Sequence, residues 1–420
     1  MACLITGITP QQSLRDGLLE FDFCQKVLSA MSQPGTCSAG YNTVRFDDEV
    51  TRFMAYRHFH DPYAREWQNG NSRWDIIDLV RAAYALRPEG INWVYKEDGS
   101  PSFKLEQLSV ANNITHADAH DALSDVRATI GLAKLIKTAQ PKLYDFAYSL
   151  RKKAAVNAQI DCFNMKPLVH ISSKISAQNG CCTWIVPIAQ HPVNSNATIC
   201  VNLAMAPDTL FELSADEIRE RMYTPASELD SPDERIPLKL IHSNKCPIIA
   251  PAKTLTPENA ERLGIDREAC HKNLKAIQNH KGIQQKLIEV FEKESQFEAE
   301  DADFALYSGG FFSPSDKAQI DTVRHTSSDK LSQLKGTFSD PRLEQLLFYY
   351  RGRNFPDSFT HEEMQKWQLH RKSRLTDADS GSTIQIEQYM FELETLINEY
   401  QQDSAKLRII KDLYRYAEQL

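Results

Sequence analysis

The spacing of apolar residues changes twice along the chain, and this change constrains the fold more than any other feature. Up to Gln140-Pro141 apolar residues recur at helical spacing, and from Gln284 to the end this spacing returns. Between them, from Pro167 to Leu203 and again in IPLKLIHSNKCPIIA, short apolar runs separated by turn residues indicate strands. A chain of 420 residues is too long to fold around one compact core. We expect domains at 1–140, 141–290 and 296–420.

The first of these parts has many predicted helices and few predicted strands. Helices are expected at 20–31, after Tyr41, at 74–85, at 102–111 and at 121–137, where Ala122, Val126, Ile130, Ala133 and Ile136 are expected to face inward. An α/β domain normally has a sheet beneath its helices. The sequence therefore predicts an α/β domain whose first strands are missing.

The charge of the chain limits how it could contact nucleic acid. A net charge of −8 argues against a protein that coats nucleic acid generally, so contacts must come from a local excess of bases. One basic stretch has six bases against Asp145 and Asp161: Lys142, Arg151, Lys152, Lys153, Lys166 and Lys174. On charge alone, a solvated helix end is the simpler interpretation of this stretch.

The cysteines and the apolar runs indicate the cellular compartment in which the protein is expected. The nine cysteines include no CxxC pair, and Cys181 and Cys182 are adjacent, so reduced thiols in a cytoplasmic protein are expected. No apolar run approaches the length of a membrane span, and the first residues do not form a signal peptide.

The segment AHDALSDVRATIGLAKLI carries the first candidate chemistry. His120 stands near the start of a predicted helix, and Asp125 lies one turn inside it. A carboxylate and an imidazole suit metal-assisted hydrolysis, in which the first holds a divalent ion and the second takes a proton from water. The competing interpretation is a capping Asp121 with a solvent-facing His120, which is commoner for an isolated pair.

The segment GYNTVRFDDEV carries the second group of candidate catalytic residues. Asp47 and Asp48 fall in the first turn of an amphipathic helix, where the helix dipole alone would favour carboxylates. The functional interpretation is that Asp47 faces a metal site at the edge of a sheet. Neither segment by itself distinguishes the functional interpretation from the structural one.

Taken together, the two segments resemble the second and third motifs of the DEDDh exonucleases of the DnaQ-like, ribonuclease-H-like fold. The resemblance narrows to the bacterial exodeoxyribonuclease I family through ITGITP, GYNTVRFDDEVTR, NSRWDIIDLVRAAYALRPEGINW, MKPLVH, HSNKCP and RLEQLLFYYRGRNFP, which occur in the family's order along essentially the whole chain. It implies a nuclease domain, an SH3-like β domain and a C-terminal helical domain. It also implies a DNA-repair enzyme that degrades single-stranded DNA 3′→5′ into 5′-mononucleotides with two Mg²⁺ ions. Asp47 and Asp125 would be metal-binding catalytic carboxylates, and His120 the general base.

The chain departs from the family at its first motif, an Asp-x-Glu on the first strand. ITGITP begins at Ile5, so no residue stands in for that pair, the two-ion site is expected to be incomplete, and the chain as given is expected to show little nuclease activity. Two alternatives stay open: an exonuclease whose sequence is truncated at its start, and a non-catalytic protein that binds single-stranded DNA or a repair partner. A proofreading subunit or small ribonuclease of the same superfamily is excluded by length.

The resemblance also implies residues that hold the DNA strand, since single-strand grooves combine cations with stacking aromatics. The predicted DNA-binding residues are Arg52, Tyr63, Trp67, Arg81, Lys104, Lys153, Asn196, Lys239 and Asn244. The family is monomeric and is associated with single-stranded-DNA-binding protein, whose acidic tail requires a basic pocket. Lys166 and Arg267 could contribute to one, whereas Thr256 and Gln278 are neutral where bases were expected.

Overall fold

The structure is a computed structural model that describes residues 1–114, 122–225, 228, 231, 235–292 and 301–420. Within those ranges, no helix combines the length and the apolar character that crossing a membrane requires.

The first 114 residues form seven helices and four short strands. The helices are α1 (Ala2–Thr6), α2 (Pro10–Asp16), α3 (Glu20–Met31), α4 (Asp47–Arg57), α5 (Ala64–Trp67), α6 (Ile76–Leu86) and α7 (Leu105–Ala111). The strands are β1 (Cys37–Gly40), β2 (Ser72–Asp75), β3 (Val94–Tyr95) and β4 (Pro101–Ser102). The helix predicted at 20–31 is confirmed. The one predicted at 74–85 begins later, because β2 comes first and the Asp75 carboxylate caps α6 by accepting from the Ile77 N–H.

The described residues from 122 to 292 contain the main sheet. Its strands are β5 (Leu168–Ile171), β6 (Cys182–Gln190), β7 (Ala197–Asn202), β8 (Leu238–His242) and β9 (Ile248–Pro251). The helices of this part are α8 (Ala122–Ala139), α9 (Pro141–Ser149), α10 (Lys153–Asn157), α11 (Asp208–Glu212), α12 (Ala215–Tyr223), α13 (Pro257–Arg262), α14 (Arg267–Asn279) and α15 (Ile283–Val290).

The described residues from 301 onward are helical, as the returning periodicity predicts. Their helices are α16 (Pro314–His325), α17 (Pro341–Asn354), α18 (His361–Thr376), α19 (Ile386–Glu399) and α20 (Ser404–Ala417). Ser313, Asp340, Thr360 and Asp403 cap the first, second, third and fifth of these by accepting backbone N–H groups.

Three sheets are present among the described residues. β1 and β2 form a parallel pair, β3 and β4 an antiparallel pair, and β5 to β9 an antiparallel sheet in the order β8-β7-β6-β5-β9. β6 lies at the centre of this last sheet and is buried along all but its final residue. Such two-sided burial explains why CTWIVPIA reads as a continuous apolar run.

The chain divides into two compact units, each of which is described separately. The sheet unit comprises residues 37–47 and the described residues from 72 to 292, and the helical unit comprises residues 1–36, 48–71 and the described residues from 301 to 420. In the sheet unit, one continuous core joins α6 and α8 to β5, β6 and β7. The predicted boundaries at 140, 290 and 296 stay a prediction.

The helical unit contains a buried ion pair between α17 and α18. Both oxygens of the Glu363 carboxylate accept from Arg351, whose Nη1 and Nη2 lie 2.9 and 3.0 Å away. Arg351 also donates to Ser358 through Nε and Nη2, and its side chain is fully buried. The Lys335 ammonium, which is half exposed, contacts the same carboxylate.

The inward face predicted for α8 is wrong in part. Val126 and Ile130 are 54% and 49% exposed, whereas Ala128 and Leu132 are buried together with Ile136. The helix carries two adjacent apolar stripes, and in this structure the core takes up the one that passes through Ala128 and Leu132. Gly131 contributes to that packing, because a Cβ added there would lie 2.5 Å from Ile114 Cγ2.

Candidate functional site

The chain turns sharply between β1 and α4, and this turn sets where Asp47 stands. A Cβ at Gly40 would lie 2.1 Å from Thr43 Cγ2, so glycine at this position lets the Thr43 side chain pack closely against the turn. Asn42 follows with a φ of 64°, the left-handed conformation that asparagine tolerates best among residues with a Cβ. The strand end and the helix start are therefore close together.

The Asp75 carboxylate fixes this turn from the neighbouring strand. It accepts from the Asn42 N–H at 2.8 Å and from the Val44 N–H at 3.1 Å, in addition to capping α6. Burial raises the pKa of Asp75, as does the nearby Asp78, and these effects outweigh the three N–H donors to give about 6. One buried side chain thus links β2, α6 and the turn that leads to Asp47.

The adjacent aspartates of α4 have different environments. Asp48 is buried and accepts from Arg65 Nη2 at 2.7 Å. Asp47, the first residue of α4, is exposed. Of the two, Asp47 is therefore the carboxylate that a solvent-borne ion could reach.

Asp125 lies in the first turn of α8 and is half-buried. Its carbonyl accepts from Thr129 Oγ1 at 2.8 Å, and the buried face of α8 anchors the turn. His120 lies outside the described residues. Across the described ranges, no group of three His, Cys, Asp or Glu side chains is placed to hold a metal ion. Asp47 and Asp125 alone do not complete such a site.

Arg52 is buried among acceptors in the helical unit. Its Nε and Nη2 donate to the two Glu66 oxygens at 2.7 and 3.0 Å, and its Nη1 donates to Glu49 and Tyr307. The guanidinium carbon lies 5.2 Å from the centre of the Tyr63 ring. The donors of Arg52 are therefore engaged by Glu66, Glu49 and Tyr307 within the helical unit.

Of the aromatics predicted to stack on bases, Trp67 is the more open. It ends α5 and is 64% exposed, whereas Tyr63 is partly covered. An exposed indole of this kind leaves most of its face available to a base.

Two predicted cations lie in the first half of the sheet unit. Arg81 Nη1 donates to Asp78 at 2.6 Å, and its guanidinium carbon lies 5.8 Å from the Phe103 ring centre. Lys104 is exposed at the residue before α7. Arg81 is thus partly engaged inside the protein, and Lys104 is open to solvent.

The structure brings three predicted residues of the β domain together. Lys153 Nζ donates to Asn196 Oδ1 at 2.6 Å. The Asn196 carbonyl accepts from the Ser243 N–H at 2.8 Å, and Asn244, the next residue, is exposed. Residues from three separate segments therefore meet at one surface.

Lys239 lies elsewhere in the sheet unit, on β8. Its Nζ donates to Ser172 Oγ at 3.3 Å. Burial lowers its pKa to about 8, with further lowering by Lys174 and Arg45. Sequence reasoning missed Arg45 and Asp75, although both lie in the quoted motifs; Lys174 was counted only as part of the basic stretch.

Comparison with known families gives a match along nearly the whole chain. The model described as Exonuclease matches residues 2–133, that of the Exonuclease I SH3-like domain residues 151–293, and that of the Exonuclease I C-terminal domain residues 300–420. Exodeoxyribonuclease I of Escherichia coli (strain K12) is 46% identical over 420 residues, which cover 100% of this chain and 87% of the relative. The Haemophilus influenzae relative is 46% identical over 417 residues, covering 99% and 86%.

Solved structures agree with this result. Escherichia coli exonuclease I in complex with a dA16 oligonucleotide has a TM-score of 0.93 at 46% identity, covering 99% of this chain and 88% of that chain. A zinc-bound form of the Escherichia coli ExoI–ssDNA complex and an ExoI/SSB-Ct complex both have TM-scores of 0.91 at 45% identity, covering 99% of this chain and 87% of each. The predicted combination of an exonuclease domain, an SH3-like domain and a helical C-terminal domain is confirmed. The chain belongs to the exodeoxyribonuclease I family.

Proposed function

We propose that this chain is an exodeoxyribonuclease that degrades single-stranded DNA 3′→5′ and releases 5′-mononucleotides during DNA repair. The observation that carries the proposal is the match of all three family domains, in order, at 46% identity to a relative of that activity. The exposed Trp67 and the exposed lysines of the sheet unit suit a single strand, because stacking requires unpaired base faces.

The proposed catalytic groups are Asp47, Asp125 and His120. Asp47 is exposed at a helix start that Asp75 fixes, and Asp125 occupies a first turn, so both carboxylates are held on rigid elements. We assign His120 the removal of a proton from the attacking water, the usual task of a histidine base.

Divalent metal use follows from the family, and we propose Mg²⁺ as the ion. Hard cations of this kind take several oxygen ligands, and the proposed ligands among the described residues are the two carboxylates of Asp47 and Asp125. That set does not hold an ion by itself, so no chemical step is derived through the metal.

The grip on the strand is divided between two kinds of contact. Trp67 and Tyr63 would stack on bases. Arg52 would hold the Tyr63 ring in place and would not contact the DNA itself, because its donors are engaged by Glu66 and Glu49. Lys104, Lys153 with Asn196, Asn244 and Lys239 would contact the backbone, with Arg81 in a supporting role.

We further propose that the acidic tail of single-stranded-DNA-binding protein binds the sheet unit near Lys166 and Arg267. Lys166 is exposed, and the Arg267 guanidinium lies 5.5 Å from the Trp184 ring centre, which fixes its direction. A monomer in the cytoplasm completes the proposal; all nine cysteines are free thiols, which suits a reducing compartment.

A degradation assay tests the proposed activity. With Mg²⁺, and with the family's Asp-x-Glu pair supplied by fusing the first strand of a relative, the protein should shorten a 5′-labelled single strand progressively from its 3′ end and leave a matched duplex nearly intact. The chain as given, whose two-ion site is incomplete, should give little product. Asp125→Asn should abolish the shortening without unfolding the protein. Tight strand binding with no Mg²⁺-dependent product even in the fused protein would instead favour the non-catalytic alternative.

Measurements of single-strand binding distinguish the contribution of base stacking from that of phosphate contacts. Trp67→Ala should weaken single-strand binding by roughly 1–3 kcal/mol, the value of one stacked base, with little change in salt dependence. Lys153→Ala should lower the slope of log K against log salt by about 0.7, as for one lost phosphate contact. Fluorescence anisotropy at several salt concentrations measures both quantities.

The matched control for Trp67 is Phe391 on α19, a ring exposed to a similar extent (64% and 69%). Phe391→Ala should leave binding unchanged. Equal losses in the two variants would mean that Trp67 has no specific role in holding DNA.

A further inference from the structure

We infer that Arg45, Lys174 and Lys239 together bind one backbone phosphodiester of the single strand, at a site built around Ser172 and Ser173. The inference rests on the proposed function and adds a phosphate site to it. The three cations come from the segment between β1 and α4, from the segment after β5 and from β8. All five residues belong to the sheet unit.

Two adjacent serines bring the cations together. Arg45 Nη2 donates to Ser173 Oγ at 2.5 Å, and Lys239 Nζ donates to Ser172 Oγ at 3.3 Å. Lys174 follows directly in the chain, and its backbone N–H donates to Ser172 Oγ at 3.3 Å. Two positive side chains from distant segments, Arg45 and Lys239, therefore contact one dipeptide, and Lys174, which follows it, is near enough to lower the pKa of Lys239.

The positive charge of this group is not balanced by the protein. Among the described residues, none of the ion pairs involves any of the three cations. Burial is the main cause of the lowered pKa of Lys239, and the like charges of Lys174 and Arg45 lower it further. Concentrated like charge disfavours the unliganded protein, and an anion would relieve it.

The donors present match a phosphodiester. The Arg45 guanidinium offers a planar fork of N–H groups, and the two ammonium groups add point charges. In the contacts described above the serine hydroxyls accept, so each keeps its own O–H to donate to an anion. Arg45 and Lys174 are exposed and Lys239 is half-buried, so the site opens to solvent on one side.

Lys239 makes binding at this site depend on pH. The charged or titratable side chains around it are Arg45, Lys174, His170 and His242, with Lys245 beyond. Burial lowers the pKa of His170 to about 3 and of His242 to about 4, with nearby lysines adding to it, so both are neutral near neutral pH. Above its pKa of about 8 the Lys239 ammonium loses its proton and its attraction for phosphate. Affinity should therefore be greatest below this pKa and fall as pH rises through it.

Anisotropy with a 5′-labelled single strand tests the site. The double variant Lys174→Gln/Lys239→Gln should bind about tenfold more weakly, the effect of one charge-assisted contact of about 1.4 kcal/mol, and its salt slope should be lower by up to about 0.7, the value for one phosphate. Lys239→Arg, which stays charged, should keep the affinity and lose the decline across the pKa of about 8. The control is Lys272→Gln on α14, an exposed lysine outside this group.

The outcomes separate this inference from the proposed function. If the wild-type protein binds no single strand, the proposed function fails and the inference fails with it. If the wild type binds and the folded double variant matches it in affinity, slope and pH profile, the inference is overturned while the function stands. If inorganic phosphate or a 5′-mononucleotide stabilises the wild type but not the double variant, with equal strand affinities, the site takes free phosphate and the assignment to the strand is overturned.

Discussion

In the protein that carries the supplied Asp-x-Glu pair, replacing His120 with alanine should lower kcat by roughly 10²–10⁴-fold, the usual contribution of a general base. The affinity for single-stranded DNA should be nearly unchanged, because the assigned imidazole acts on water rather than on a phosphate. Single-turnover degradation gives the rate, and anisotropy under non-degrading conditions gives the affinity.

Two comparisons make the result for His120 specific. His361→Ala, at an exposed histidine that begins α18, should leave both quantities unchanged. His120→Ala should also lose the limb of the pH–rate profile that reports the titration of the general base. An equal loss of binding and turnover in His120→Ala would make this histidine a structural or DNA-contacting residue.

Replacing Arg351 with alanine should lower the free energy of unfolding by about 3–5 kcal/mol, because it leaves the Glu363 carboxylate buried without its main partner. Chemical denaturation of the helical signal measures the change. Lys335→Gln removes the half-exposed partner of the same carboxylate and should cost no more than about 1 kcal/mol. Similar small losses in both variants would show that the buried pair contributes little.

The same carboxylate predicts how this stability depends on pH. Burial raises the pKa of Glu363, but the hydrogen bonds from Arg351 and Lys335 outweigh it and lower the value from 4.5 to about 2. A pKa lowered in the folded state stabilises the fold above the ordinary value, and this contribution is lost as pH falls towards 2. In Arg351→Ala, the acid-induced loss should therefore be smaller than in the wild type.

The elements were predictable where the sequence signals were local. Helix 20–31 could be placed because the apolar spacing is regular and Pro34-Gly35 interrupts it. The strands of the main sheet could be recognised as short buried runs. The packed face of α8 could not, because Val126 and Ala128 are both apolar and only the neighbouring elements select between them.

The candidate site was predictable in its residue types and less so in their environments. Asp47 and Asp48 are equivalent in sequence, and Arg65 distinguishes them by pairing with Asp48. The presence of Arg52 among aromatics predicts a DNA contact, yet its donors meet Glu66 and Glu49 within the protein. Such partners are set by tertiary packing, so the spacing of a motif does not contain them.

The position of β8 has a consequence for solubility. β8 ends the order of the main sheet, so among the described residues its outer backbone groups have no partner strand. Exposed strand edges can pair with the edge of another molecule, and a lysine on such a strand opposes this association. Lys239 is the one lysine or arginine in LKLIH, between two leucines. Its charge therefore also protects the edge from self-association, and the arginine variant keeps that protection where the glutamine variant loses it.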